Sequence, residues 1–93
     1  MFEKEKEILL ELGVSTEGKA DEANFYEVDL GSLDEFSKVH SLLNKADNLE
    51  LDESDITEQS LKITYLYNEG EYVIIIVSDL ETDKASIKIK QVK

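Results

Sequence analysis

The sequence has no cysteine, which excludes disulfides, thiolate catalysis and every Cys-based metal site. It has no arginine either: all ten bases are lysine, set against 22 acids for a net charge of −12. Histidine occurs once, as His40, and the four glycines are scattered at 13, 18, 31 and 70, so no glycine-rich loop is present to cradle a phosphate. No segment approaches the length of a membrane span, and Met1-Phe2-Glu3-Lys4-Glu5 is not a basic leader followed by an apolar stretch. These absences set the expectation of a soluble cytoplasmic protein, cellular or phage-encoded, with no cofactor and no metal.

What is present is enough for one core. Ninety-three residues, 41% hydrophobic and 34% charged, suit a single domain over 1–93 that needs no metal or disulfide staple. The organising stretch is Tyr72-Val73-Ile74-Ile75-Ile76-Val77, an apolar, mostly β-branched run bracketed by Asn68-Glu69-Gly70 and Ser78-Asp79. Such a run predicts a central strand buried on both faces. Before it, Leu61, Ile63, Tyr65 and Tyr67 alternate with more polar residues, and Asn68-Glu69-Gly70 predicts a tight hairpin with Gly70 at positive φ. After it, Ile87 and Ile89 face inward in a closing strand whose lysines suit a sheet edge.

Two helices are expected. Residues 2–12 place Phe2, Ile8, Leu9 and Leu12 on one side, with Leu10 off the stripe and free to touch a second surface, and Gly13 as a left-handed cap. Ser32-Leu33-Asp34-Glu35 reads as a capping box that opens a helix to about Ala46, with Leu33, Phe36, Val39, Leu42, Leu43 and Ala46 as its apolar arc. Between the helices, Ser15 to Glu22 reads as a polar loop and Phe25 to Leu30 as a half-buried strand. The fold class is therefore α+β in the order α-β-α-β-β-β: an antiparallel carboxy-terminal three-stranded meander plus one earlier strand, with both helices on one face. Where the first strand joins is open. So is the form of residues 47–58, either a short strand or one helical turn.

The search for chemistry returns little. His40 with Ser37 and Ser41 lies on one helix, where the spacing cannot build a catalytic triad, and no Gly-x-Ser-x-Gly presents a nucleophile. Tested as a calcium loop, the acidic segment fails. Counting from Asp47 puts Leu49 at the third position, counting from Asp52 puts Ile56 at the fifth, and neither start has the required glycine. The lysine-rich last strand lacks an interleaved aromatic and sits beside a strongly negative body, so nucleic-acid binding is not expected. The four tyrosines, 26, 65, 67 and 72, read first as core-edge and cross-strand packing.

Charge distribution is the informative property. Four lysines and no acid fall within residues 84–93, so the negative charge belongs to the rest of the chain. Its densest part is Asp47, Glu50, Asp52, Glu53, Asp55 and Glu58, joined by Glu27 and Asp29 of the first strand, with no lysine in either segment. A field of this kind attracts basic protein surfaces and repels nucleic acid and anionic membrane. Two readings follow. One is a non-catalytic binding protein whose carboxylates take the place of phosphates, as in inhibitors of nucleic-acid enzymes, immunity proteins and phage-encoded antagonists of host defence. Those eight acids would then form the contact with a basic protein. The other is an accessory domain, homodimeric or not, whose acidity serves solubility. In size, acidity and helix–strand–helix–strands order, with Glu53-Ser54-Asp55-Ile56 and Val77-Ser78-Asp79 as local echoes, the chain resembles the uracil-DNA glycosylase inhibitors as a physical type. That family's Glu-Ser-Ile recognition segment has no counterpart at Glu27-Val28-Asp29-Leu30, where the first strand ends.

Overall fold

The computed structural model describes residues 2–14, 17–20 and 25–92, and for Lys19 and Ala20 the backbone alone. The elements are α1 (Glu3–Glu11), β1 (Lys19–Ala20), β2 (Tyr26–Asp29), α2 (Leu33–Lys45), β3 (Leu49–Ile56), β4 (Ser60–Tyr67), β5 (Tyr72–Asp79) and β6 (Lys84–Gln91). The strands form one antiparallel sheet in the order β1-β2-β6-β5-β4-β3. This is the expected α+β architecture, with the meander extended by β3 and both helices on one face. The undecided acidic segment is a strand. Of the loop expected over 15–22, residues 15, 16, 21 and 22 lie outside the described residues, while Lys19 and Ala20 pair with β2.

Each helix ends for a reason visible in the chain. Gly13 sits at φ +83, and Gly13 and Val14 donate to the carbonyls of Leu10 and Leu9. That is the Schellman arrangement, which satisfies the last carbonyls of α1. Among the described residues Leu10 is not covered by a second surface and is 69% exposed. At the start of α2, Ser32 is extended and its hydroxyl accepts from Glu35 N at 3.5 Å. The reciprocal half of the box is not formed, and the Glu35 carboxylate lies 3.3 Å from Lys38 Nζ instead. A second cap arrives from far along the chain: Leu33 N donates to Asp83 Oδ1 at 3.1 Å.

Ile8, Leu9, Val14, Phe36, Val39 and Leu43 pack on Tyr26, Val28, Ile63, Tyr65, Tyr72, Ile74, Ile76, Ile87 and Ile89 to form the core. All four tyrosines belong to this helix-covered side, three of them buried and Tyr67 half-buried edge-on to Tyr72. The central strand departs from its expected burial. Ile74 and Ile76 are fully buried, but Val73, Ile75 and Val77 are only half-buried, because no helix among the described residues lies over their face. A continuous apolar run signals two covered faces only if a second layer exists to cover both.

Two further expectations are corrected. β6 is not an edge: β2 pairs with it through Tyr26↔Ile89 and Val28↔Ile87. Its lysines therefore face the open side of an interior strand rather than guarding a margin. Nor is the β4–β5 turn a tight one, since Tyr67 pairs with Tyr72 across a four-residue loop. Asn68, Glu69 and Gly70 all have positive φ there, so Gly70 is not alone in supplying it.

Candidate functional site

Among the described residues β3 is a margin of the sheet, paired with β4 alone. Its register shifts between Leu51 and Glu53, so that Asp52 is an extra residue in the ladder. This bulge re-phases the strand. Glu50, Glu53 and Asp55 pair with Leu66, Thr64 and Lys62, and all three point to the open face, whereas Leu51, Ser54 and Ile56 turn to the helix side. With strict alternation Glu53 and Asp55 would have gone to the helix side and Ile56 to the open one. α2 lies mainly over β5 and β6, and although it also contacts β3, Leu51 and Ile56 on the helix side of that strand are 62% and 68% exposed. Leu49 alone of the three aliphatics packs on the core.

The open face can be read in rows across the strands. Glu50, Leu66, Val73 and Lys90 form one; Glu53, Thr64, Ile75, Lys88 and Glu27 the next; Asp55, Lys62, Val77, Ser86 and Asp29 the third. On this face β3 presents acids, β4 Leu66, Thr64 and Lys62, β5 three aliphatic side chains, β6 Lys88 and Lys90 with Ser86, and β2 the acids Glu27 and Asp29. The β6 lysines also have the aromatic neighbour that their own strand lacks. Phe25, brought alongside by β2, has Lys90 Nζ 5.4 Å and Lys88 Nζ 6.0 Å from its ring centroid, within cation–π range.

The eight acids expected to act together fall into two groups. Asp47, Glu50, Asp52, Glu53, Asp55 and Glu58 gather along and beside β3, all exposed. Among the described residues no side chain of these six makes a hydrogen bond or ion pair. Glu27 and Asp29 lie four strands away, roughly 19 Å at the usual strand spacing, and both are engaged locally. Glu27 Oε2 is 3.4 Å from Lys88 Nζ, and Asp29 Oδ1 accepts from Gly31 N at 2.8 Å. They line a cavity of about 510 Å³ with Glu17, Asp79 and Lys84. Asp79 there accepts from the amides of Glu81 and Thr82, which fixes the β5–β6 turn.

The remaining candidates for chemistry form connections within the fold. His40 stacks on Phe36 and stands 3.3 Å from Asn44 Nδ2, while Asn44 Oδ1 accepts from Tyr65 OH at 2.9 Å. This chain ties α2 to β4, and Ser37 and Ser41 are exposed outside it. Burial raises the Tyr65 phenol above its ordinary range. Tyr67 and Tyr72 rise as well, first from burial and then from the carboxylates of Glu11 and Glu5 respectively. Tyr67 OH also donates to Glu11 Oε2 at 3.4 Å. Among the described residues no group of three or more His, Asp or Glu could hold a metal ion, and no helix is long and apolar enough to cross a membrane. Sequence reasoning missed Leu66, Val73, Ile75 and Val77 as surface residues, and only the one-sided placement of the helices could have revealed them. Comparison with protein-family models, with curated proteins and with solved structures finds no match.

Proposed function

We propose that this chain is a small non-catalytic binding protein that engages a basic protein surface through the acidic β3 margin and the aliphatic strip beside it. The class that fits is an inhibitor or antagonist of a nucleic-acid-handling protein, whose phosphate-binding cations would meet carboxylates instead. One observation carries the reading: six unengaged carboxylates border an open sheet face centred on Leu66, Val73, Ile75 and Val77. Charge on a free strand is well explained by protection against strand addition. That explanation covers the acids but not four aliphatic side chains in the middle of a bare face, which mark an interaction surface.

Capture from cell lysate over a salt series tests the reading. A single basic protein should be retained at about 0.15 M salt, where long-range attraction is screened beyond roughly 8 Å. It should be lost with the Glu50→Gln/Glu53→Gln/Asp55→Asn variant and with Ile75→Lys. Diffuse binding that disappears with salt, and that ignores Ile75→Lys, would leave solubility as the role of the acids.

A further inference from the structure

Two of the three rows of the open face are complementary to themselves, Glu50 to Lys90 and Glu53 to Lys88, while the third brings Asp55 to Ser86 and Lys62 to Val77. Take a twofold axis parallel to the strands, above this face and midway between β4 and β5. It sets β4 over β5 of a second copy and β3 over β6, and it keeps every cross-strand row opposite the same row. Glu50 then stands over Lys90 of the second copy and Glu53 over its Lys88, each twice by symmetry, while Leu66 meets Val73 beside the axis. Charge also chooses the position of the axis. Moved onto β5 it would set β3 over β2, opposing Glu53 to Glu27 and Asp55 to Asp29. From these rows we infer that the open face is the interface of a homodimer, the two sheets stacked in the aligned manner with the axis between β4 and β5.

The inference goes beyond the binding role proposed above and does not depend on it, although a basic partner and a second copy would compete for the same face. The four strands β3 to β6, about eight residues long, present on the order of 400–500 Å² of sheet per copy. Stable interfaces remove about 800 Å² of accessible surface from each partner. The footprint is below that of a standard stable interface, which places the dimer among weak, concentration-dependent associations. Salt should tighten it. The mutual repulsion of two chains of −12 acts over distances beyond the Debye length of about 10 Å at 0.1 M, whereas contacting Glu–Lys pairs are screened less. Association with a basic partner has the opposite salt dependence.

Sedimentation of the whole chain from about 5 μM to 1 mM, at about 10 and 150 mM salt, reads the dimer directly. The wild type should pass from monomer to dimer, and at lower concentration in the higher salt. Glu50→Lys/Glu53→Lys and Lys88→Glu/Lys90→Glu should each weaken association at least tenfold, and an equimolar mixture of the two should dimerise more tightly than either. Lys88 is half-buried beside Glu27, so Glu50→Lys mixed with Lys90→Glu provides the same test without disturbing that pair. Circular dichroism establishes that each variant is folded. A monomeric wild type at the highest concentration would overturn the inference, as would variants as tightly associated as wild type or mixtures that stay monomeric. A monomeric result leaves the basic-partner reading standing, and failure to capture a basic protein leaves the dimer standing.

Discussion

Replacing Ile76 and Ile75 one at a time by alanine puts the one-sided sheet to a quantitative test. The two are neighbours in β5, with the same side chain, the same strand and nearly the same backbone. Ile76 is 0% exposed under α2, whereas Ile75 is half-buried on the bare face. Truncation at Ile76 removes three buried carbons at about 0.8 kcal/mol each, roughly 2.4 kcal/mol of transfer free energy. The core around it, built from Phe36, Val39, Ile63 and Ile87 among others, cannot close fully. A residual void on the order of 50–70 Å³, at about 24 cal/mol per Å³, adds roughly 1.2–1.7 kcal/mol. Ile76→Ala should therefore lose about 4 kcal/mol. Ile75→Ala leaves no enclosed void and gives up only part of the transfer term, so it should lose about 1 kcal/mol. Any difference in strand propensity between isoleucine and alanine applies to both sites and largely cancels. Urea unfolding followed by circular dichroism gives both values, at low micromolar protein so that self-association does not contribute. With a slope of about 1 kcal/mol/M, the midpoints should fall by roughly 4 M and 1 M respectively. If Ile76→Ala fails to fold, the valine pair keeps the comparison, at about 1 kcal/mol for Ile76→Val against nearly nothing for Ile75→Val. Equal losses at the two sites would mean that the second face is covered, and would remove the open surface from both functional arguments.

Other outcomes follow from the same structure. Ser32→Ala should lower stability by about 0.5–2 kcal/mol. Asp83→Ala should lower it by a comparable amount while Asp83→Asn, which keeps an acceptor for Leu33 N, should not; chemical denaturation resolves the set. Thermal stability should hold through neutral pH and fall above pH 10. The Tyr65, Tyr67 and Tyr72 phenols have raised values in the fold, so the stability they contribute is complete below their ordinary value of 10.0 and is lost as pH rises through the raised values. Tyr65→Phe should soften that alkaline decline, and a melting series from pH 8 to 11.5 shows whether it does. Neutralising Asp52, Glu53 and Asp55 together should slow association with a basic partner and flatten its salt dependence, with little change in fold stability. Stopped-flow or surface-binding kinetics measures this, and an unchanged on-rate at low salt would take the β3 acids out of the encounter.

Much of the architecture is determined by local chemistry and can be read without coordinates. Alternation in residues 61–67 and 26–29, the apolar run at 72–77, the 3.6-residue period of 33–45 and the glycine after Leu12 each impose a preference within a few residues. Helices and strands at those places agree with it. Ser32 likewise caps α2 because its position before Leu33 leaves it little else to do. The absence of cysteine and the crowding of acids at 47–58 are facts of composition that no fold alters.

What required the tertiary structure depends on residues far apart in the chain. Strand pairing is non-local: β2 joins β6 across more than fifty residues, and that pairing turns the lysine strand from an edge into an interior strand beside Phe25. Asp83 reaches Leu33 N only because the β5–β6 turn comes to rest over the start of α2. A run such as 72–77 has the same composition whether one face is covered or two, and two short helices on one side suffice to decide it. The bulge at Asp52 is the sharpest case. The period of a strand is two residues, so a single inserted residue exchanges its faces, and the line of Glu50, Glu53 and Asp55 exists only through that shift in register.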